Sequence, residues 1–349
     1  MDKRQADVVK IAKGICIFCV VFGHTMIPSM RDTDSFVYHL WTLIYLFHMP
    51  VFFAASGIFY ELNRKRYEKE PLQFIKRKFD LLIIPYISIS ICIYALLMAA
   101  VKVPKVSELI ARYVHNVYDL KSVVLEILTY ENHVGQHLWF VLVLFLIFLI
   151  NILLCKVDQR ILCIVLMIAP VFGLPLLKAR YNVPDIPNYF LFELPFFMFG
   201  RFIGQKKAVL NRVTKQNIAP LVFAVLACIY MIFMKETDIL PKPVRWVYLF
   251  VTRCAGILMV LSVAAIIERK NIFKAAWKYL ERKSYPIYLL HQPFIVSGSA
   301  GVLMAMGVPN SVVIVMVTAI GIGVPLMIDR LMSKNKLYQK VILGGRIEG

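Results

Sequence analysis

Acidic residues are scarce in this 349-residue chain, which sets 21 Asp and Glu against 40 Lys and Arg. Charge of either sign is thin, at 17% of the sequence, while 60% is hydrophobic and the mean hydropathy is +0.70. That balance excludes an ordinary soluble domain. There is no Walker-type loop and no dinucleotide-type glycine fingerprint, so phosphoryl transfer from a nucleotide is not expected. The cysteines (Cys16, Cys19, Cys92, Cys155, Cys163, Cys228 and Cys254) lie in or beside apolar runs without metal-type spacing, and the histidines lack close ligand spacing. No disulfide, metal site or permanently bound cofactor is therefore expected. No small-residue cleavage site follows the first apolar stretch, which reads as a retained helix. Without an internal repeat, a low-complexity tract or an appended soluble domain, residues 1–349 read as a single transmembrane domain.

What the chain does have is a series of apolar runs near the length a bilayer requires. They lie at about 11–28, 40–60, 81–101, 138–155, 161–177, 189–204, 218–234, 246–267, 285–304 and 312–331. The fold class expected is all-α: a polytopic membrane protein with ten transmembrane helices and both termini cytoplasmic. The sixth run is the shortest and carries Glu193 and Pro195. Charge bias supports the count, because the segments then assigned inside hold 29 Lys and Arg and those assigned outside hold 10. The net charge of +19 comes in short clusters between apolar runs, where topology accounts for it, so no nucleic-acid partner is expected. The longest outer loop, 102–137, has helical-looking pieces at Val106 to Tyr113 and Lys121 to Leu128, and could lie along the membrane surface as a lid.

Ionisable residues inside such runs mark functional sites by default. In the first run, Lys13 and His24 are eleven residues apart, which puts them within about 20° of one helix face and about 16 Å apart along it. A rise of about 1.5 Å per residue sets His24, His48, Glu193 and Arg253 about 3 to 7 Å outside the midplane and His291 about 4 Å inside it. Five helices thus contribute to one layer about 10 Å thick, with His137 and Trp139 just above it. Each residue also has a plainer reading. Lys13 can be a snorkelling anchor and His24 a satisfied core histidine. His48 and His291 can satisfy carbonyls freed by Pro50 and Pro293, and Glu193 with Arg253 can be a packing ion pair. Trp139 can belong to an interfacial aromatic belt. After the second run, Arg64, Lys65, Arg66, Lys69, Lys76, Arg77 and Lys78 read either as topology charges in contact with membrane lipids or as a site for a phosphate-rich cytosolic ligand.

The stretch Asp7 to Gly14, ending in Gly23-His24, resembles the first helix of the acyltransferase family 3 membrane proteins, where an Arg or Lys, ten residues and a His recur. Phe47-His48-Met49-Pro50 through Ser56-Gly57 resembles that family's second helix, and Arg77 through Pro85-Tyr86 its third. Leu138-Trp139-Phe140 resembles the start of the fourth, Phe196 to Gly200 the sixth, and Ser284 to His291 the ninth. The subgroup most similar is that of the fucose 4-O-acetylase-like and exopolysaccharide O-acyltransferases. The resemblance implies a multi-pass protein of the bacterial plasma membrane. It would move an acyl group, usually acetyl, from cytosolic acyl-CoA (acetyl-CoA or another) to a sugar hydroxyl of an envelope glycan or its lipid-linked precursor. On that reading Lys13, Lys76, Arg77 and Lys78 hold the phosphates of acyl-CoA; Lys13 stands where the best-known members have Arg. His24 is the general base, Glu193 orients it or binds sugar, and Arg253 balances Glu193 or stabilises an oxyanion. His48, His137, Trp139 and His291 line the acceptor pocket. The readings from other classes are a proton-coupled secondary transporter of a glycan or lipid and a scaffold within a glycan-synthesis complex.

Overall fold

The architecture is that of a computed structural model, which describes residues 3–103, 120–129, 135–206, 212, 218–234 and 241–345. Among the described residues every regular element is helical. In chain order these are α1 (Lys3–Thr25), α2 (Pro28–Thr33), α3 (Ser35–Tyr45), α4 (His48–Lys69), α5 (Pro71–Lys78), α6 (Ile84–Val101), α7 (Leu120–Thr129) and α8 (Trp139–Leu153). There follow α9 (Gln159–Arg180), α10 (Asp185–Gln205), α11 (Ile218–Ile229), α12 (Lys242–Lys270), α13 (Lys274–Arg282), α14 (Ser284–Leu290), α15 (Ser299–Ala305) and α16 (Asn310–Met332). Wider π-type turns at Phe79–Ile83, Tyr230–Met234, Phe294–Gly298 and Tyr338–Ile342 extend or join them.

All ten apolar runs fall in helix. Among the described residues six helical segments are long and apolar enough to cross a membrane, or seven if the pair Ser284–Leu290 and Phe294–Ala305, bent by 59°, is one span. The runs outside that set are α1, α10 and the short α11. The first run ends earlier than expected, at Thr25: Ile27 is extended and Pro28 opens α2. The second is broken between Tyr45 and His48.

Local chemistry sets the ends. The Asp34 carboxylate accepts the backbone N–H groups of Phe36 (2.9 Å) and Val37 (3.2 Å) to start α3, and Asp158 does the same for Arg160 and Ile161 at the start of α9. Asn271, with φ of 57°, stops α12 and turns the chain into α13. Of the proposed lid, Val106 to Tyr113 lies outside the described residues. α7 is fastened to the bundle, because Tyr86 Oη donates to the Ile127 carbonyl at 2.8 Å and Val123 and Ile127 are buried.

α1 is the central helix, packed against α3, α4, α12, α13, α14 and α16. Its buried residues lie on all sides, as such a position requires. The most extensive interface joins α4 to α10, where the chains approach at backbone distance: a side chain at Gly57 would strike the Phe197 carbonyl, and one at Gly200 the Ala54 carbonyl. The same seam holds Arg201. Charge counting assigns this residue to an inner loop, yet it is completely buried. Its guanidinium donates to Glu61 Oε2 through Nε (2.9 Å) and Nη2 (2.7 Å), to Asn151 (2.6 Å) and to Gln159 (2.7 Å). It also lies 5.0 Å over the Tyr60 ring. Burial of a cation is tolerated when its donors are filled in this way.

Candidate functional site: a basic-mouthed shaft under three histidines

A cavity of about 780 Å³ runs between α1, α4, α8 and α14. Helical periodicity builds its walls, since each helix contributes a stripe at spacings of three and four. α1 gives Lys13, Ile17 and Val20; α4 gives Met49, Phe52, Ser56 and Tyr60; α8 gives Phe140, Leu144 and Phe148; and α14 gives Ser284 and Tyr288. One end is basic, lined by Lys76, Arg77 and Lys78 of α5. Gln73, Asp80 and the C-terminal Gly344 and Gly345 complete that mouth. All four cations expected to hold phosphates therefore line one cavity.

They are held differently. Lys13 Nζ pairs with Glu281 of α13 at 2.7 Å. Lys78 Nζ lies 4.2 Å over the Phe148 ring, while Lys76 and Arg77 are exposed at the rim. Tyr285 Oη donates to the Leu81 carbonyl, and Tyr338 Oη donates at 3.1 Å to Asp329, which also pairs with Lys283 at 2.9 Å. The first bond ties α14 to the mouth and the second ties the C-terminal turn to α16, beyond which Gly344 and Gly345 reach the mouth.

At the other end three stripes run on into histidine. His24 lies one turn beyond Val20, His291 three residues beyond Tyr288, and His137 three residues before Phe140. Their rings converge, with His24 and His291 at 5.2 Å between centroids and His137 and His291 at 5.4 Å. His291 is completely buried. Its Nδ1 faces the carbonyls of Ile287 (3.1 Å) and Tyr288 (2.8 Å), so Nδ1 carries the hydrogen and donates. Nε2 is then left with a lone pair, buried and without a partner. The bend after Leu290 aims this ring at His24. Tyr288 Oη donates to the His137 carbonyl at 2.5 Å, which ties α14 to the turn before α8. His48 Nδ1 donates to the Ile44 carbonyl at 2.8 Å, satisfying a carbonyl near Pro50, and Tyr45 lies between it and His24.

The expected single layer divides at this point. Glu193 and Arg253 form their own centre, 3.6 Å apart, and the guanidinium sits 4.3 Å over Phe192. Neither lines the shaft, nor does any of the histidines; the ring contacts of His24 are with Tyr45 and His291. Glu193 Oε2 and Arg253 Nε are buried and unpartnered. Trp139 stacks on Tyr189 at 4.8 Å, beside the shaft and outside it. Among the described residues no group of His, Cys, Asp and Glu could hold a metal ion. Sequence reasoning gave no role to Glu281, Tyr288 or Arg201. Tyr288 was within reach of it, because it lies on the same helix stripe as His291.

A structure that is all-helical among the described residues, with several apolar helices of membrane length, is that of a multi-pass membrane protein. The family model described as an acyltransferase domain matches residues 8–330, nearly the whole chain, and the protein belongs to acyltransferase family 3. No curated protein and no solved structure matches it. It is thus a membrane acyltransferase in general terms.

Proposed function

We propose that the protein transfers an acyl group, acetyl in the first instance, from cytosolic acyl-CoA to a sugar hydroxyl of an envelope polysaccharide or a lipid-linked glycan precursor. It does so in a bacterial plasma membrane, with ten crossings and both termini inside. What supports this reading is the shaft, lined toward one end by Lys13, Lys76, Arg77 and Lys78, together with the cluster of His24, His137 and His291 that lies one turn beyond its lining at the other. Cations at the mouth suit the phosphates of coenzyme A, and the apolar shaft suits the pantetheine arm. His24, neutral, takes the proton of the sugar hydroxyl as its oxygen attacks the thioester carbon. The C–S bond then breaks and the departing thiolate recovers that proton. His48, His137, His291 and Trp139 form the acceptor side. Glu193 and Arg253 act there from a distance, which suits sugar binding better than orienting His24.

The test is acyl-CoA binding and coenzyme A release by the purified protein. Arg77→Ala should weaken binding. His24→Ala should bind acyl-CoA as wild type does but lose transfer, and substantial residual transfer would remove it as the base. Well-folded protein that binds no acyl-CoA would overturn the reading in favour of proton-coupled transport of a glycan or lipid, or of a scaffold role.

A further inference from the structure

The closed end of the shaft is built as a length limit. A thioester within reach of His24 must sit at the level of Val20, one turn below on the same α1 stripe. The acyl tail is then confined by Val20, Phe140 and Tyr288, all of which line the cavity and of which Val20 and Tyr288 are buried. The lining of the cavity stops at their level: His24, His137 and His291, next along the same three stripes, do not line it, and the Nε2 of His291 is unpartnered. A longer hydrocarbon would bury that lone pair against methylenes, which is unfavourable. The chemistry of the end is as restrictive as its size. The cations lining the shaft are Lys13, Lys76, Arg77 and Lys78, the last three at the mouth and Lys13 two turns before Val20, while Met49, Phe52 and Phe140 face the closed end. An acyl group that ends in a carboxylate finds no partner there.

We propose that Val20, backed by Phe140 and Tyr288, is the specificity determinant for the acyl group, admitting short neutral acyl chains and rejecting longer or dicarboxylic ones. This rests on the acyl-CoA reading of the same shaft. Val20 is the informative position because it makes no polar contact, whereas Tyr288 holds the His137 carbonyl.

The experiment is equilibrium binding to the purified full chain of coenzyme A and its acetyl, propionyl, butyryl, hexanoyl and succinyl thioesters, in wild type, Val20→Ala and Val20→Phe. Each methylene that finds apolar room should tighten binding roughly fourfold. In wild type that gain should stop at acetyl or propionyl and reverse by hexanoyl, with succinyl weaker than butyryl. Val20→Ala should move the optimum up by one or two carbons, and Val20→Phe should weaken acetyl-CoA by more than it weakens coenzyme A itself. Should Val20→Phe fail to fold, the alanine variant decides alone. Wild-type affinity that rises steadily through hexanoyl, an unchanged profile in Val20→Ala, or tighter succinyl binding would overturn the proposal while the acyl-CoA reading stands. Failure of coenzyme A and all its thioesters to bind would bring down both.

Discussion

Arg201 and Lys13 are both cations inside the bundle, but their partners set them different tasks. Arg201 has its donors filled by Glu61, Asn151 and Gln159, so Arg201→Met should leave Glu61 only its pair with Arg64 and destabilise the protein by about 1 to 3 kcal/mol. Thermal unfolding in detergent would measure this, and the double variant with Glu61→Gln should recover part of the loss. Lys13 is shared between Glu281 and the shaft. Glu281→Gln removes a competing carboxylate and should tighten acyl-CoA binding by up to about fivefold, whereas Lys13→Met should weaken it. Equal effects of the two variants in one direction would mean that the pair only supports packing. Arg201 was illegible in the sequence because counting charges between apolar runs treats each as solvent-facing. Its partners come from α4, α8 and the start of α9, which no local pattern brings together.

Helix periodicity made the Lys13 to His24 stripe legible: residues 13, 17, 20 and 24 share a face, and the structure lays that face along the shaft and then under His291. Depth along each helix also grouped His24, His48, His137 and His291, of which the structure puts His24 and His137 in ring contact with His291. It could not separate Glu193 and Arg253 from them, because height in a bundle says nothing of which neighbour a helix face meets. Nor did it show the α4 and α10 seam, whose signal is two glycines among many. Gly57→Ala or Gly200→Ala should push that seam apart and cost about 1 to 3 kcal/mol, read as a lowered unfolding temperature. Gly301→Ala, where nothing lies within contact distance, is the matched control and should be nearly silent.

For the molecule as a whole, the separation of a charged mouth from an apolar shaft makes donor affinity a sum of two differently screened parts. Raising NaCl from about 0.05 to 0.5 M should weaken acyl-CoA binding at the exposed Lys76 and Arg77, and Arg77→Ala should show a shallower salt dependence than wild type. An unchanged slope would place the phosphates elsewhere. Chemical labelling of single cysteines in the inner and outer loops of the ten-crossing topology would test the arrangement of the termini. The walls of the shaft are not equally free. The α4 side is fastened to α10 at backbone contact and again by Arg201, which makes it the firmer wall. The facing side is α14, only seven residues long and ending in the 59° bend, held by Tyr285 on the Leu81 carbonyl and by Tyr288 on the His137 carbonyl. Substrate exchange is then a door with one fixed jamb. A cross-link between α4 and α10 should leave turnover intact, and one between α14 and the turn at Phe79–Ile83 should lock the door shut.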